Sequence, residues 1–111
     1  MVTYAVIPCY KSPAIAHQIV TDCLKYVDKV ICVDDYCPMG TGQMIEEKVK
    51  SPNLIVLYHE KNFGVGGATK TGIRYAVKQN ADVIVKIDSD GQMPSELIPK
   101  LIKPILKKHK V

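Results

Sequence analysis

The feature of the sequence that most constrains the fold is the alternation of short apolar runs with longer amphipathic segments. The apolar runs are rich in β-branched residues, as strands are, and they cover residues 3–8, 29–33, 53–58 and 82–87. Apolar residues recur every three or four positions in the other segments, which predicts helices over residues 12–26, 42–50, 68–79 and from 94 onward. Such alternation predicts an α/β fold, an αβα sandwich with a mainly parallel sheet of about four strands.

Composition fits one folded domain. The chain of 111 residues is 47% hydrophobic and 23% charged, which predicts a single domain over residues 1–111. The net charge of +4 comes from the last segment, because residues 100–111 contain five lysines and no acidic residue. Without those lysines, ten basic residues face 11 acidic ones, so the charge predicts no nucleic-acid partner.

The cysteine pattern argues against a disulfide framework and against a zinc site. Cys9, Cys23, Cys32 and Cys37 form no C-x-x-C pair, and the three histidines are scattered. We find no signal peptide, and no apolar run reaches the roughly 18–20 residues of a membrane-spanning helix. We therefore expect reduced thiols in a cytoplasmic protein.

Polar residues of interest follow the predicted strands, at the point where each strand ends. Ligands of parallel sheets bind just beyond the carboxyl ends of the strands, where the strand order reverses. The stretches at these ends are residues 8–11, 34–37, 59–67 and 88–92. Their common position predicts a small-molecule site.

The strongest candidate for chemistry follows the fourth strand, in the segment Asp88-Ser89-Asp90-Gly91-Gln92. Asp88 and Asp90 are two residues apart, so in an extended segment both carboxylates point to the same side. With the Gln92 amide they suit a hard divalent cation, Mn²⁺ or Mg²⁺, that would bridge a diphosphate. The alternative is a plain turn, since Asp, Ser and Gly are common turn formers.

Two adjacent acids, Asp34 and Asp35, end the second predicted strand. Their side chains point in different directions. One interpretation gives one carboxylate to backbone hydrogen bonds and the other to a base or ribose. The other interpretation is a solvated strand end.

A glycine-rich segment, residues 62–70, leads from the third strand into a helix. Glycines let a ligand approach the backbone and a helix N-terminus favours anions, so a loop over residues 64–67 is a phosphate-binding candidate. Thr69 stands where both G-x-G-x-x-G and the P-loop pattern require glycine. A degenerate P-loop NTPase is thus a lesser alternative, and Lys70 and Arg74 either reach phosphates or form a solvated face.

Residues 94–111 combine apolar positions on one side with lysines elsewhere. We interpret them as a last helix that covers the sheet and has a basic end, because packing is the commoner cause of amphipathicity. The alternative is a segment that contacts an anionic membrane surface.

Four segments, in this order and spacing, resemble the nucleotide-sugar-binding half of family 2 glycosyltransferases, which have the Rossmann-like GT-A fold. The segments are VIPCYK, VDD, NFGVGGATKTGIRYA and IDSDGQMPSELIPKLI, and together they span nearly the whole chain. The family includes dolichyl-phosphate mannose synthase and bacterial polysaccharide glycosyltransferases. The resemblance implies a UDP- or GDP-sugar as donor, with polyprenyl phosphate or polysaccharide as candidate acceptors.

The resemblance also implies roles for residues of the nucleotide pocket. Pro8 and Tyr10 would line the base and ribose pocket, and Asp35 matches the acid that hydrogen-bonds the base. Gly67 and Lys70 would lie in the loop that flanks the nucleotide.

The implied metal site lies in the fourth segment. Asp88 would face the ribose or the metal, and Asp90 would be the principal metal ligand. Gln92 matches a residue that joins the metal shell in the polyprenyl-phosphate branch of the family.

The sequence departs from the family pattern in three places. Lys11 and Ser12 stand where Asn-Glu is frequent, and residues 36–39 (YCPM) replace Gly/Asn-Ser-x-Asp. Family members also continue into a second half that supplies the acceptor site and a carboxylate base, whereas residues 94–111 contain one acid, Glu96. We therefore expect a donor-binding domain that is incomplete as a catalyst alone. A non-catalytic nucleotide-binding or interaction module is the alternative.

The position of the fourth strand predicts an exposed sheet edge. That strand is central in the family's strand order, so here it would present unpaired backbone groups, with Lys86 as mild protection. We expect two copies of the chain to associate through this edge, or the edge to be covered.

Overall fold

The computed structural model describes residues 2–10 and 13–87, and of residues 13–15 it describes the backbone alone. The elements in chain order are β1 (Thr3–Cys9), α1 (Pro13–Cys23), β2 (Lys29–Asp34), α2 (Thr41–Lys48), β3 (Leu54–Tyr58), α3 (Gly64–Lys78) and β4 (Val83–Lys86). All of the strands and helices predicted up to residue 87 are present. The predicted helix from residue 94, with its basic end, lies outside the described residues.

The described strands form one parallel sheet in the order β3-β2-β1-β4. The predicted α/β class and parallel sheet are therefore confirmed. Strand order runs outward from β1 through β2 to β3 and then resumes on the other side of β1 with β4, so it reverses between β1 and β4. Ligands of such sheets bind at that reversal, beyond the carboxyl ends of the strands.

Helices cover both faces of the sheet. On one face, α1 and α2 pack over alternate residues of the central strands, including Ala5, Ile7 and Val30. On the other face, α3 lies over the intervening residues, including Val6 and Ile31. All seven residues of β1 are buried, as expected of a strand that has neighbours on both edges and helices on both faces.

The helix bounds differ from the predicted ones where the backbone hydrogen bonds depart from the α-helical pattern. Helix α1 ends at Cys23 rather than at residue 26, because the N–H groups of Lys25 and Tyr26 donate to carbonyls three residues back, on Asp22 and Cys23. Such bonds form a tighter turn than the α-helix and commonly close its last turn. The start of α3 differs more, and it bears on the site described below.

The described part of the sheet ends at β3 on one side and at β4 on the other. Among the described residues β4 pairs with β1 alone, and the predicted exposure of its outer edge, like the association of two copies through it, stays a prediction. Cys9, Cys23, Cys32 and Cys37 form no disulfide within the part of the chain that the structure describes. No helix among the described residues is long and apolar enough to cross a membrane.

Candidate functional site

Three strands end at the same level along one edge of the sheet, which we call the carboxyl edge. The register pairs Cys9 of β1 with Asp34 of β2, and Asp34 with Tyr58 of β3. The residues that follow these strand ends, Tyr10, Asp35 and His59, therefore lie along one line. Tyr10 is 38% exposed at this edge, whereas Asp35 is 3% exposed.

Pro8 lies two residues beyond Val6, the last residue of β1 that pairs with β4 in the described register. The Cys9 carbonyl accepts from Asp35 N–H on the β2 side, whereas the Val6 carbonyl accepts from Ile87 N–H on the β4 side. Backbone groups alternate along a strand, so those of Pro8 face β4, and proline has no N–H to donate there. The side chain of Pro8 is buried. Pro8 thus lies where the strand order reverses, beside the fourth strand.

Asp34 binds the backbone that follows it. Its Oδ1 accepts from the N–H of Cys37 at 2.7 Å, and its Oδ2 accepts from the N–H of Gly42, in the first turn of α2, at 2.7 Å. A carboxylate at that position compensates unpaired N–H groups and the positive end of the helix dipole. Asp34 therefore fixes the turn between β2 and α2. This outcome matches the interpretation in which one of the two acids binds backbone.

Asp35 binds the opposite side of the site, at the start of α3. Its Oδ1 accepts from Phe63 N–H at 2.8 Å and lies 2.7 Å from His59 Nδ1. Its Oδ2 accepts from Gly64 N–H at 2.8 Å. Neither acid is a solvated strand end, since both are 3% exposed. The role in base binding that the resemblance implies for Asp35 stays a prediction.

The electrostatics of Asp35 follow from these contacts. Burial alone would raise the pKa of its carboxyl group, because it penalises the charged form. Hydrogen bonds from His59, Phe63 and Gly64 outweigh burial and hold the pKa below its ordinary value. Asp35 is therefore a carboxylate at neutral pH, and it acts as an acceptor only.

His59 connects Asp35 to helix α3. Its Nε2 lies 2.7 Å from the Thr71 hydroxyl, which also lies 3.1 Å from the Gly67 carbonyl one turn back. The imidazole ring packs edge-on against Phe63, with 5.0 Å between ring centroids. One chain of contacts thus joins the end of β2, the end of β3 and the first two turns of α3.

The glycine-rich segment is helical, and the prediction of a loop over residues 64–67 was wrong. Helix α3 begins at Gly64, four residues earlier than predicted, and includes Gly66 and Gly67. The reason is Asp35, whose carboxylate accepts the first N–H groups of the helix. A P-loop needs such N–H groups in a loop that wraps phosphates, so this geometry contradicts the NTPase alternative.

The structure places both Gly67 and Lys70 in helix α3, where their surroundings differ. Gly67 is half-buried, and a Cβ there would lie 2.6 Å from Phe63 Cβ. Lys70 is exposed on the solvent side of the helix. Lys70 and Arg74 both lie on this exposed side, one turn apart, so nothing among the described residues separates their two interpretations.

A polar pocket of about 490 Å³ opens between the ends of β2 and β3. Its lining residues are Asp34, Tyr36, Cys37, Pro38, Gln43, Tyr58 and His59. The Tyr58 hydroxyl donates to the Glu46 carboxylate, and burial together with Glu46 raises the pKa of Tyr58. The loop after β2, where the sequence departs from the family pattern, thus forms one wall of this pocket.

The predicted metal ligands Asp88, Asp90 and Gln92 lie outside the described residues. The last described residue, Ile87, is hydrogen-bonded to Val6 of β1 at 2.9 Å, and Asp88 follows it directly in the sequence. Within residues 2–10 and 13–87, no group of three or more His, Cys, Asp or Glu side chains converges on a metal-sized site.

Sequence reasoning missed His59 and Thr71. The signal for His59 was available, because a histidine directly after β3 must lie beside an acid directly after β2 in a parallel sheet. The signal for Thr71 required knowing that α3 begins at Gly64, since only then does its second turn pass over His59.

Comparisons with known proteins agree on one family. The model of the family described as Glycosyl transferase family 2 matches residues 4–111. A UDP-N-acetylglucosamine–dolichyl-phosphate N-acetylglucosaminyltransferase of Methanococcus voltae is 34% identical and covers 96% of this chain and 48% of its own length. An undecaprenyl-phosphate mannosyltransferase of Micrococcus luteus is 34% identical over 68% of this chain and 32% of its own length. The chain thus spans at most about half of these curated relatives.

A solved structure agrees on the fold. The crystal structure of S. aureus TarS residues 1–349 in complex with UDP-GlcNAc superposes with a TM-score of 0.71. The match covers 98% of this chain and 32% of that one, at 23% sequence identity. The expected GT-A, Rossmann-like architecture is therefore confirmed, over a part of the TarS chain.

Proposed function

This chain is a member of glycosyl transferase family 2, and from that premise we propose that it binds a nucleotide-diphosphate sugar, a UDP- or GDP-sugar, at the carboxyl edge. The observation that carries the proposal is the coincidence of the family match with the line of strand ends at Cys9, Asp34 and Tyr58. The TarS structure with the same fold was solved with UDP-GlcNAc, which supports this class of donor.

We assign the nucleotide to the side of the carboxyl edge where Pro8 and Tyr10 lie. Tyr10 offers a partly exposed aromatic ring at the end of β1, and an aromatic ring suits a base or ribose. Lys70 is exposed on α3 and would contact a phosphate or the sugar only from the rim. Gly67, being within the helix, would act by leaving room for the Phe63 side chain against the first turn of α3.

We propose that the diphosphate is bound with Mn²⁺ or Mg²⁺, held by Asp88, Asp90 and Gln92. The donor set is oxygen-only, as these hard cations prefer. The Ile87–Val6 hydrogen bond supports the position, because it fixes the chain beside Pro8 directly before Asp88. When bound, the cation would neutralise the charge of the diphosphate leaving group.

For the whole protein we propose transfer of the sugar to a polyprenyl phosphate. The printed names of the two 34% identical relatives state dolichyl phosphate and undecaprenyl phosphate. Such acceptors are anchored in membranes, so we expect the protein to work at a membrane surface. Contact of residues 94–111 with that surface, and the inability of residues 1–111 to transfer the sugar alone, stay predictions.

Isothermal calorimetry tests the donor proposal. We expect UDP, GDP or UDP-N-acetylglucosamine to bind in the presence of Mn²⁺, and to bind at least about tenfold more weakly with chelator. Asp90→Ala should abolish the cation-dependent part. Glu47→Ala, which removes an exposed acid of α2, is the matched control and should leave the affinity unchanged.

The other outcomes separate the alternatives. Equal affinity with and without the cation favours the non-catalytic nucleotide-binding module and contradicts the metal site. Absence of binding by any of these nucleotides contradicts the proposed function. Incubation with a radiolabelled UDP-sugar and dolichyl phosphate then measures whether residues 1–111 transfer the sugar.

A further inference from the structure

The basic residues of the chain are unevenly distributed, even outside its last segment. Residues 61–81, which contain helix α3, hold four basic residues and no acidic one. In the rest of residues 1–99, six basic residues face all 11 acidic ones. Helices α1 and α2 on the other side of the sheet together contain three acidic residues and one lysine. The side of the sheet that α3 covers is therefore the positive side.

Three of these cations lie one turn apart on the exposed surface of α3. Lys70, Arg74 and Lys78 are spaced by four residues, and all three are exposed. Side chains at that spacing lie one above the other on a helix. Among the residues that the structure describes, none of the three takes part in an ion pair. Their charges are therefore available to an anionic partner.

An apolar groove of about 550 Å³ lies beside these cations, along the last two turns of α3. The apolar and aromatic residues that line it are Leu57, Ile73, Tyr75 and Val77. Arg74 and Lys78 also line it. Ile73 is 36% exposed and Val77 is 60% exposed. We call the surface formed by Ile73, Arg74, Val77 and Lys78 the α3 surface, which combines exposed apolar side chains with unpaired cations.

This combination restricts what can cover the α3 surface. A second copy of the chain would bring the same cations together across a two-fold interface, and like charges disfavour such contacts. A nucleic acid would match the cations through its phosphates but would leave Ile73 and Val77 without apolar partners. A membrane surface that contains anionic lipids matches both, because its headgroups are negative and its acyl boundary accepts apolar side chains.

We propose that the α3 surface contacts an anionic lipid surface, with Ile73 and Val77 at the acyl boundary and Arg74 and Lys78 among the headgroups. The long stems of Arg and Lys let their charges reach the headgroups from an apolar groove. The choice of lipid over an acidic protein rests on the proposed function, since a polyprenyl phosphate acceptor is anchored in a membrane. The α3 surface is distinct from residues 94–111, the segment weighed above as a membrane contact.

Co-sedimentation with vesicles tests the role of the two cations. The probes are vesicles of phosphatidylcholine with about 30% phosphatidylglycerol, and vesicles of phosphatidylcholine alone. We expect the wild type to bind the anionic vesicles at least about tenfold more tightly. The double variant Arg74→Gln with Lys78→Gln should weaken that binding by about tenfold or more.

The matched control removes the same charge from the other side of the sheet. Lys48 and Lys50 are exposed at the end of α2 and just beyond it. Lys48→Gln with Lys50→Gln should change the binding of anionic vesicles by less than about twofold, because these lysines do not face the lipid. Equal losses in the two double variants would overturn the proposal, since net charge alone would then account for vesicle binding.

Tryptophan reporters locate the contact on the helix. The chain contains no tryptophan, so Val77→Trp and Val65→Trp each introduce a single indole. Val77 and Val65 both lie on α3 and are 60% and 58% exposed, but they point about 120° apart around the helix. We expect anionic vesicles to shift the emission of Val77→Trp to shorter wavelength, because its indole leaves water, and to leave that of Val65→Trp unchanged. Any other pattern contradicts the proposed contact.

The lysines of residues 100–111 need a comparison of their own. Lys107→Gln with Lys108→Gln removes the same charge as the double variant of α3. We expect Arg74→Gln with Lys78→Gln to cause the same loss, about tenfold, in that background, because separate contacts add. If the substitutions at Lys107 and Lys108 alone abolish vesicle binding and those on α3 have no effect, the last segment is the contact and the inference is overturned.

Calorimetry with UDP and Mn²⁺, without lipid, separates this inference from the proposed function. We expect Arg74→Gln with Lys78→Gln to keep the wild-type affinity for UDP to within about twofold. Nucleotide binding without vesicle binding would overturn this inference alone, whereas vesicle binding without nucleotide binding would overturn the proposed function alone. A loss of UDP affinity in the double variant, with vesicle binding unchanged, would assign Arg74 or Lys78 to the phosphates and overturn the lipid contact.

Discussion

Asp34 and Asp35 are neighbours in the chain, yet they organise opposite faces of the sheet in different ways. Asp34 binds N–H groups three and eight residues ahead, in the turn that leads to α2. Asp35 binds groups 24 to 29 residues ahead, beyond β3 and at the start of α3. Asp34 is thus a local anchor for the α2 side, whereas Asp35 links the ends of two strands and a helix on the α3 side.

The two sides of the carboxyl edge therefore differ in the space that lies beside each helix. On the α2 side, the local anchor leaves a polar pocket of about 490 Å³ lined by the loop after β2. On the α3 side, the carboxylate fills the space at the start of the helix. The polar pocket thus lies on the α2 side, whereas the Asp35 carboxylate occupies the first N–H groups at the start of α3.

The largest expected effect is the loss of stability when Asp35, which links the two strand ends to α3, is replaced. Asp35→Asn replaces one carboxylate oxygen by an NH₂ group that faces an N–H or imidazole donor, which leaves buried donors unsatisfied. We expect a loss of about 3 kcal/mol in the free energy of unfolding. Asp34→Asn disrupts fewer contacts, all of them local, and should cost about 1–2 kcal/mol. Urea unfolding of both variants at pH 7 measures the two values. Equal losses would contradict the distinction between local anchor and tertiary link.

Close packing on the two sides provides a second test. We expect each Gly→Ala substitution there to lower the free energy of unfolding by about 2 kcal/mol. A Cβ on Gly72 of α3 would lie 2.3 Å from Val6 Cγ1, so Gly72→Ala forces the helix off the central strand. A Cβ on Gly42 of α2 would lie 2.6 Å from Tyr58 Cε1 and 2.7 Å from Asp34 Oδ2. Overpacking of this kind costs about 1–3 kcal/mol.

The two glycine variants should also differ in whether their losses of stability add to the loss caused by Asp34→Asn. Gly42→Ala also weakens the Asp34 contact, because the N–H of Gly42 donates to that carboxylate. A double variant with Asp34→Asn should therefore lose less than the sum of the single losses, whereas Gly72→Ala and Asp34→Asn should add. Thermal unfolding of the singles and doubles measures this. Additivity in both pairs would show that Gly42 and Asp34 act independently.

Acid should weaken the link that Asp35 makes. Its folded pKa is lowered by the hydrogen bonds of His59, Phe63 and Gly64, so its contribution is complete above the unfolded pKa of about 3.9. The contribution is lost as the pH falls through the lower folded pKa, by at most about 1.4 kcal/mol for each pH unit. The difference in stability between the wild type and Asp35→Asn should thus shrink between pH 4 and pH 2.

The acid titration needs a control for the general loss of negative charge. Glu47→Gln removes an exposed carboxylate from α2 without touching either aspartate. We expect its stability difference from the wild type to stay small over the same pH range. A constant gap between the wild type and Asp35→Asn down to pH 2 would mean that the carboxylate charge contributes nothing to the α3 side.

The contrast between the two sides also explains what the sequence could and could not predict. The strands were predictable because buried parallel strands are continuous apolar runs, as in residues 29–33. The family was predictable because its motifs lie in fixed order after those strands. The start of α3 was not, since local glycine content favours a loop, and the carboxylate that caps the helix comes from Asp35, 28 residues before Phe63. The contact of His59 with Asp35 likewise follows from strand register rather than from any local pattern.

The smallest expected effect tests how firmly Asp35 fixes the first turn of α3. Gly64 has a φ of +83° and donates to Asp35, whereas a Cβ added to Gly66, two residues on, would meet no atom within 4 Å. Gly66→Ala should therefore stabilise the chain by about 0.5–1 kcal/mol, because alanine favours a helix. Gly64→Ala should destabilise it by about 1 kcal/mol, since the left-handed conformation disfavours a Cβ. If Asp35 imposes that conformation, Gly64→Ala should lose most of its cost in the Asp35→Asn background, where the turn is free to relax. An unchanged cost in both backgrounds would show that the turn between β3 and α3 keeps its shape without the carboxylate.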